Sequence, residues 1–207
     1  MQIPKVTGIY LAAGASRRMG RPKLTIPLGS RGVTGGLAIE QALQVEKLER
    51  IVVVSRVAGY PSWLNASEEP VYLQRCSFIE AKDADLGLAH SLRAGLSAAL
   101  HHSKPDAVLV MLADQPFIRA ELLDQLIFEY QADRALDYVA AGDAGIGKPP
   151  VLLAASMFNA LMKLQGDEGA RKLLLKPGFR GKVVEAEARC FLDLDTPEDV
   201  EAILKLS

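Results

Sequence analysis

Two uninterrupted apolar runs, Ile51-Val52-Val53-Val54 and Val108-Leu109-Val110-Met111-Leu112, constrain the fold of this chain more than any other feature. Neither alternates with polar residues, and strands that are apolar at every position are buried on both faces. Val6-Thr7-Gly8-Ile9-Tyr10-Leu11 is a third run of the same kind. Burial on both faces calls for helices above and below the sheet, and the intervening segments have helical periodicity. Leu92, Leu96 and Leu100 recur at i, i+4 and i+8, and Leu122, Leu123, Leu126, Ile127 and Tyr130 form one stripe. A helix over residues 155–164 carries Met157, Phe158 and Leu161. The C-terminal helix starts at Thr196-Pro197, with threonine at the N-cap, proline at N1, and Glu198 and Asp199 in the first turn. Strands are predicted at 6–11, 50–55, 71–73, 107–112, 138–141, 151–153 and 182–185. Their alternation with helices predicts an α/β fold with a mainly parallel sheet.

The chain has 207 residues, 49% of them hydrophobic, which suits one domain over 1–207 with a sizeable core. No Pro/Gly/Ser-rich linker divides it. A formal net charge of −1 argues against a broad surface for nucleic acid or anionic membrane. Any phosphate site must therefore be local. No apolar run approaches the roughly 20 residues of a membrane span. The N-terminal apolar run breaks into Ser16-Arg17-Arg18-Met19-Gly20-Arg21-Pro22-Lys23 instead of a small-residue cleavage site, so the expected location is the cytoplasm. Cys76 and Cys190 lack CxxC spacing, which argues against zinc and against a disulfide framework.

Residues 11–23, LAAGASRRMGRPK, place a small-residue turn and four cations, Arg17, Arg18, Arg21 and Lys23, directly after the first strand. Ligands of open α/β sheets bind at that edge, and a glycine such as Gly14 lets backbone approach a nucleotide. The pattern is neither a P-loop nor a dinucleotide fingerprint, because Gly-Lys-Ser/Thr and Gly-x-Gly-x-x-Gly are both absent. In Met111-Leu112-Ala113-Asp114-Gln115-Pro116 an acid follows a buried strand. It suits a Mg²⁺ ligand and, read alone, equally a helix cap. Asp193 and Asp195 of Phe191-Leu192-Asp193-Leu194-Asp195-Thr196-Pro197 share one face if that segment is extended. Two such carboxylates repel unless a cation lies between them. Gly87-Leu88-Ala89-His90-Ser91 opens the helix of Leu92 and reads alone as an N-cap, although Gly87 and Ser91 also offer donors to a base or ribose. Gly166-Asp167-Glu168-Gly169-Ala170-Arg171 opens a short helix from which Arg171 can reach an anionic acceptor.

In this order, together with Lys148-Pro149-Pro150-Val151-Leu152-Leu153, the motifs resemble those of the molybdenum cofactor cytidylyltransferase family. They are also similar to the related protein of bacterial purine catabolism that serves xanthine dehydrogenase. The resemblance implies a single Rossmann-like nucleotidyltransferase domain with a mainly parallel mixed sheet flanked by helices. It implies that Leu11, Ala12, Ala13 and Gly14, with Gly87 and Ser91, hold the nucleotide. Arg18 and Lys23 would hold the phosphates, and Asp114 with Asp195 and Asp193 the Mg²⁺. Arg18, Lys23 and Asp114 are the implied catalytic residues, and Lys148 and Arg171 the acceptor-binding ones. Ala13 matches the cytidylyl form, since guanylyl relatives more often carry glycine there.

The implied reaction is Mg²⁺-dependent transfer of CMP from CTP to the terminal phosphate of molybdopterin, with release of pyrophosphate. The product's recipient would be a molybdenum hydroxylase such as xanthine dehydrogenase. A phosphate monoester has a second pKa near 6, so the acceptor is already mostly dianionic at pH 7 and needs no general base. Two alternatives stand beside this: a guanylyltransferase or sugar-phosphate nucleotidyltransferase, and a non-catalytic carrier of molybdopterin.

Overall fold

The computed structural model describes residues 3–16, 19–65 and 69–205. Its strands are β1 (Val6–Ala12), β2 (Leu48–Ser55), β3 (Cys76–Glu80), β4 (Ala107–Leu112), β5 (Tyr138–Asp143), β6 (Ile146–Ala154) and β7 (Gly181–Glu185). Its helices are α1 (Thr34–Gln44), α2 (Glu69–Arg75), α3 (Leu88–His102), α4 (Ala120–Ala132), α5 (Phe158–Leu161), α6 (Arg171–Leu174) and α7 (Pro197–Lys205). One seven-stranded sheet runs in the order β3-β2-β1-β4-β6-β5-β7. Every pairing is parallel except those of β6, which lies antiparallel to both β4 and β5. The expected mainly parallel α/β sheet is thus present as one mixed sheet flanked by helices.

The uninterrupted runs occupy the middle of this sheet. Val6, Tyr10 and Ala12 of β1 and Leu109 and Met111 of β4 face one cluster, to which α1 adds Ile39 and Ala42 and α4 adds Leu123 to Ile127. Ile9 and Leu11 of β1 and Val108 and Val110 of β4 face the other, covered by α3, α5 and α6 through Leu92, Leu96, Leu161 and Leu173. Period-two alternation therefore serves two cores, and both faces need apolar residues. Gly95 allows the close approach of α3, since a Cβ there would lie 2.6 Å from Ile9 Cγ2. A third cluster joins Val200 and Ile203 of α7 to Ile26 and Leu28, in the loop just after Lys23.

Three expectations need correction, and one helix carries no clear sequence signal. Residues 71–73 are not a strand but the middle of α2, with Val71 and Leu73 exposed and only Tyr72 buried. Their Val-Tyr-Leu composition favours a strand, but Cys76–Glu80 takes that place by pairing with Ile51–Ser55. Leu100 is 42% exposed, because the buried stripe of α3 runs through Ala89, Leu92, Leu96 and Ala99. A position at i+8 has turned about 80° from position i. The helix expected over 155–164 is shorter: a 3₁₀ turn at Ala155–Met157, then α5. Helix α1, which begins Thr34-Gly35-Gly36, went unread because two glycines hide its periodicity.

Leu96→Ala is expected to cost about 2–5 kcal/mol of stability, and Leu100→Ala no more than about 0.5 kcal/mol. Equilibrium urea unfolding measures both, and equal losses would contradict the face that α3 presents to the sheet.

Candidate active site

The sheet order reverses direction between β1 and β4, and the crevice outside the carboxyl ends of such strands is where ligands bind in this architecture. A cavity of about 400 Å³ opens there, lined by Leu11 to Ser16, Lys23, Arg56, Asp85, Gly87, Leu88, Ser91, Asp114, Asp167 and Asp195, among others. The chain leaves β1 through Ala13 and Gly14, and small side chains keep this stretch of backbone open to a ligand. It returns at Lys23, whose backbone N–H donates to Ser16 Oγ at 3.1 Å. Arg17 and Arg18 lie outside the described residues, so the phosphate role expected of Arg18 has no geometry here.

Lys23 is 92% buried by surface area, and its Nζ donates to Asp114 Oδ2 at 2.5 Å and to Asp195 Oδ1 at 2.9 Å. Burial alone would lower the pKa of this ammonium. The adjoining Asp114 and Asp195 carboxylates more than offset that and hold it above the usual lysine value. Asp114 is aimed here because it lies two residues past the end of β4. Asp195 is held by two local devices. The Leu194 N–H donates to the Asp114 carbonyl at 3.0 Å, pinning the segment to the end of β4. Asp199 then accepts from the N–H groups of Asp195 (3.0 Å) and Thr196 (2.7 Å), while Thr196 Oγ1 accepts from the Asp199 N–H at 3.3 Å. This reciprocal cap starts α7 and leaves the Asp195 carboxylate to the cavity.

Asp193 behaves differently. It does not line the cavity, and its Oδ1 accepts from Gln115 Nε2 at 3.0 Å. The residue keeps part of its surface in solvent, yet protein crowds its carboxyl group. That desolvation, reinforced by the Asp114 charge, raises its pKa above the usual aspartate value. Asp193 is thus the acid of the pair that makes a supporting hydrogen bond, while Asp114 and Asp195 line the cavity. Among the described residues no group of three or more His, Cys, Asp or Glu side chains converges as metal ligands would. The cation between Asp114 and Asp195 is the ammonium of Lys23.

The opposite wall is built where two motifs meet. Gly87, at φ 116 and ψ 171, ends a tight turn and starts α3 in a conformation essentially reserved for glycine. A Cβ at Gly87 would lie 2.2 Å from the carbonyl of Gly166, and the Ala89 N–H donates to that carbonyl at 3.0 Å. This contact brings Asp167 to the cavity rim beside Gly87, Leu88 and the buried Ser91. Arg171 and Lys148 do not line the cavity. Arg171 is exposed on α6. Lys148 Nζ lies 3.7 Å from Asp143 Oδ2 and 4.8 Å from the centre of the Phe191 ring.

Sequence reasoning missed Arg56 and Asp85. Arg56 directly follows β2, and its Nε donates to the Ala13 carbonyl at 2.9 Å while Nη2 donates to Asp85 Oδ1 at 2.9 Å. It ties the loop after β1 to the turn before α3. A cation placed immediately after Val52-Val53-Val54-Ser55 was the available signal, since β2 ends on the same edge as β1.

A doubly covered, mainly parallel mixed sheet with a lysine–carboxylate cluster at its switch point is an α/β domain with its ligand site at that edge. Residues 8–181 match the MobA-like NTP transferase domain, and the chain belongs to that family of nucleotidyltransferases. It is 33% identical to the purine catabolism protein PucB of Bacillus subtilis (strain 168), over 98% of both chains. It is 27% identical to nicotine blue oxidoreductase of Paenarthrobacter nicotinovorans, over 97% of this chain and 94% of that one. It is 24% identical to molybdenum cofactor guanylyltransferase of Shewanella frigidimarina, over 97% and 96%. Rv0371c from Mycobacterium tuberculosis H37Rv has the same fold, with a TM-score of 0.75 at 23% identity over 97% and 98% of the two chains. A manganese complex of Rv0371c superposes at TM-score 0.71 and 23% identity, covering 98% of this chain and 100% of that one.

Gly87→Ala is expected to cost about 1–3 kcal/mol through backbone strain alone, and more from the contact with Gly166. Thermal unfolding measures this, and an unchanged melting temperature would mean that the junction of residues 87 and 166 is not rigid.

Proposed function

We propose that this protein transfers CMP from CTP to the terminal phosphate of molybdopterin, releasing pyrophosphate, in a Mg²⁺-dependent reaction. The observation that carries the reading is the convergence of Lys23, Asp114 and Asp195, from three separate motifs, on one cavity at the carboxyl ends of β1 and β4. Phosphoryl chemistry of this kind needs positioning and charge neutralisation more than covalent help. In this reading the backbone of Leu11 to Gly14, with Gly87 and Ser91, seats the nucleoside, and Arg56 holds the two loops apart at a fixed distance. Lys23, joined by Arg18, neutralises the triphosphate.

Asp114 and Asp195 fit the donor set of Mg²⁺, which takes one or two carboxylates and completes its shell with water and substrate phosphates. When bound, the ion supplies Lewis-acid stabilisation of charge at the α-phosphate. The manganese complex of the similarly folded Rv0371c accords with a divalent ion in this architecture. Asp193 supports the segment through Gln115. Lys148 lies on the stretch of β6 that runs past the end of β4, beyond the Val110↔Val151 pair, and is assigned to the acceptor phosphate. Arg171 serves the same anion further out.

Ala13 supports cytosine, and the purine-catabolism relative supports a molybdenum hydroxylase such as xanthine dehydrogenase as the recipient. Such a reaction belongs in the cytoplasm, where CTP is made. The guanylyltransferase relatives favour one second reading, GMP transfer from GTP at the same site.

Incubation of the protein with molybdopterin, Mg²⁺ and CTP and GTP at equal concentration, with products read by mass spectrometry, is expected to yield mainly the CMP adduct. A predominant GMP adduct would establish the second reading. No adduct with any nucleotide would leave a carrier of molybdopterin. Lys23→Ala is expected to lower kcat/KM by about 100-fold or more. Activity within about threefold of wild type would remove Lys23 from the mechanism, since it is far below the loss of one transition-state contact.

A further inference from the structure

We infer that Lys23 is an internal counter-cation that keeps Asp114 and Asp195 closed to a free divalent ion until a nucleoside triphosphate draws its ammonium away. The inference rests on the nucleotidyltransferase reading above and adds an order of binding to it.

The geometry is competitive. Nζ lies 2.5 Å from Asp114 Oδ2 and 2.9 Å from Asp195 Oδ1. A Mg²⁺ ion bridging the same two oxygens would sit about 2.0–2.1 Å from each. An ion and an ammonium group cannot share that space. The lysine is also well placed to leave. Its backbone is fixed through Ser16 Oγ, so only the flexible side chain must move. It already lines the cavity in which a triphosphate would lie. Phosphate oxygens there give Nζ new anionic partners, and the two carboxylates are released to the ion that accompanies the nucleotide. Metal and nucleotide affinity then become positively coupled, and the coupling is reciprocal. An ordinary structural ion pair would also leave its carboxylates more attractive to a cation once the lysine charge is removed, but it predicts no coupling of metal affinity to the nucleotide.

The test measures Mn²⁺ binding to the nucleotide-free protein by electron paramagnetic resonance of the free ion. Lys23→Met, which keeps most of the length of the side chain and removes its charge, is expected to bind Mn²⁺ at least about tenfold more tightly than wild type, within the usual range of coupling between sites. The gain should disappear in Lys23→Met/Asp114→Asn. In wild type, α,β-methylene-CTP should raise Mn²⁺ affinity, and in Lys23→Met it should raise it less. Circular dichroism checks that each variant folds, and Lys23→Gln serves as a second neutral variant. Mn²⁺ binding by folded Lys23→Met or Lys23→Gln no tighter than by wild type would overturn the inference. So would a gain that survives Asp114→Asn. If wild type binds no CTP analogue and forms no adduct, the cytidylyl reading falls, while the nucleotide-free comparison still decides what Lys23 does.

Discussion

The parallel pairing of β1 with β4 is the constraint on which the rest of the site depends. Leu11 lies opposite Leu112, and the Ala113 N–H donates to the Leu11 carbonyl at 3.1 Å, so the pairing extends one step past the end of β4. The residues that follow, Ala13-Gly14 on one side and Asp114 on the other, must then emerge side by side. β2 pairs with the opposite edge of β1 as far as Ala12↔Ser55, which delivers Arg56 to the same place. Three strand ends thus put a small-residue loop, a cation and an acid around one crevice, with two apolar cores fixing the strands from above and below.

Electrostatics does the remaining work at short range. A lysine this buried would by itself favour its neutral form, and the two carboxylates in contact with Nζ reverse that preference. The cap of α7 contributes to the placement: Asp199 accepts from the N–H groups of Asp195 and Thr196, which fixes the segment that carries the Asp195 carboxylate. Val200 and Ile203 of α7 pack on Ile26 and Leu28, so the helix that positions Asp195 also braces the loop carrying Lys23. Lys23 and its partner Asp195 are thus braced by one small cluster.

The half of the sheet beyond β4 shapes the other approach to the crevice. Because β6 runs antiparallel to β4, its first residues overhang the carboxyl edge, and the hairpin with β5 turns there at Ala144-Gly145. Glu185 at the end of β7 accepts both N–H groups of that turn, at 3.1 and 2.8 Å, which anchors the hairpin tip. Lys148 sits on this overhang, away from the cavity under α3. The arrangement separates the cavity from the overhang across the end of β4.

Much of the framework was legible in the sequence, since burial on both faces leaves its mark on every residue of a strand. The runs of β1, β2 and β4, the stripe of α4 and the threonine–proline start of α7 all follow from local periodicity and capping chemistry. Local signals failed where tertiary contacts override them. Val71-Tyr72-Leu73 has strand composition but lies in α2, because Cys76–Glu80 completes the edge beside β2. The sequence also marked Lys23, Asp114 and Asp195 as parts of one site, and for Asp114 the reason is local, because the residues just past a buried strand have only that edge to occupy. It could not reveal that Lys23 lies between the two acids, that Asp193 turns to Gln115, or that Arg56 bridges Ala13 and Asp85. Those contacts join residues 29 to 172 positions apart. Period and composition act within a few residues of the chain, whereas the pairing of charges across a crevice is decided only when the strands that carry them are packed together.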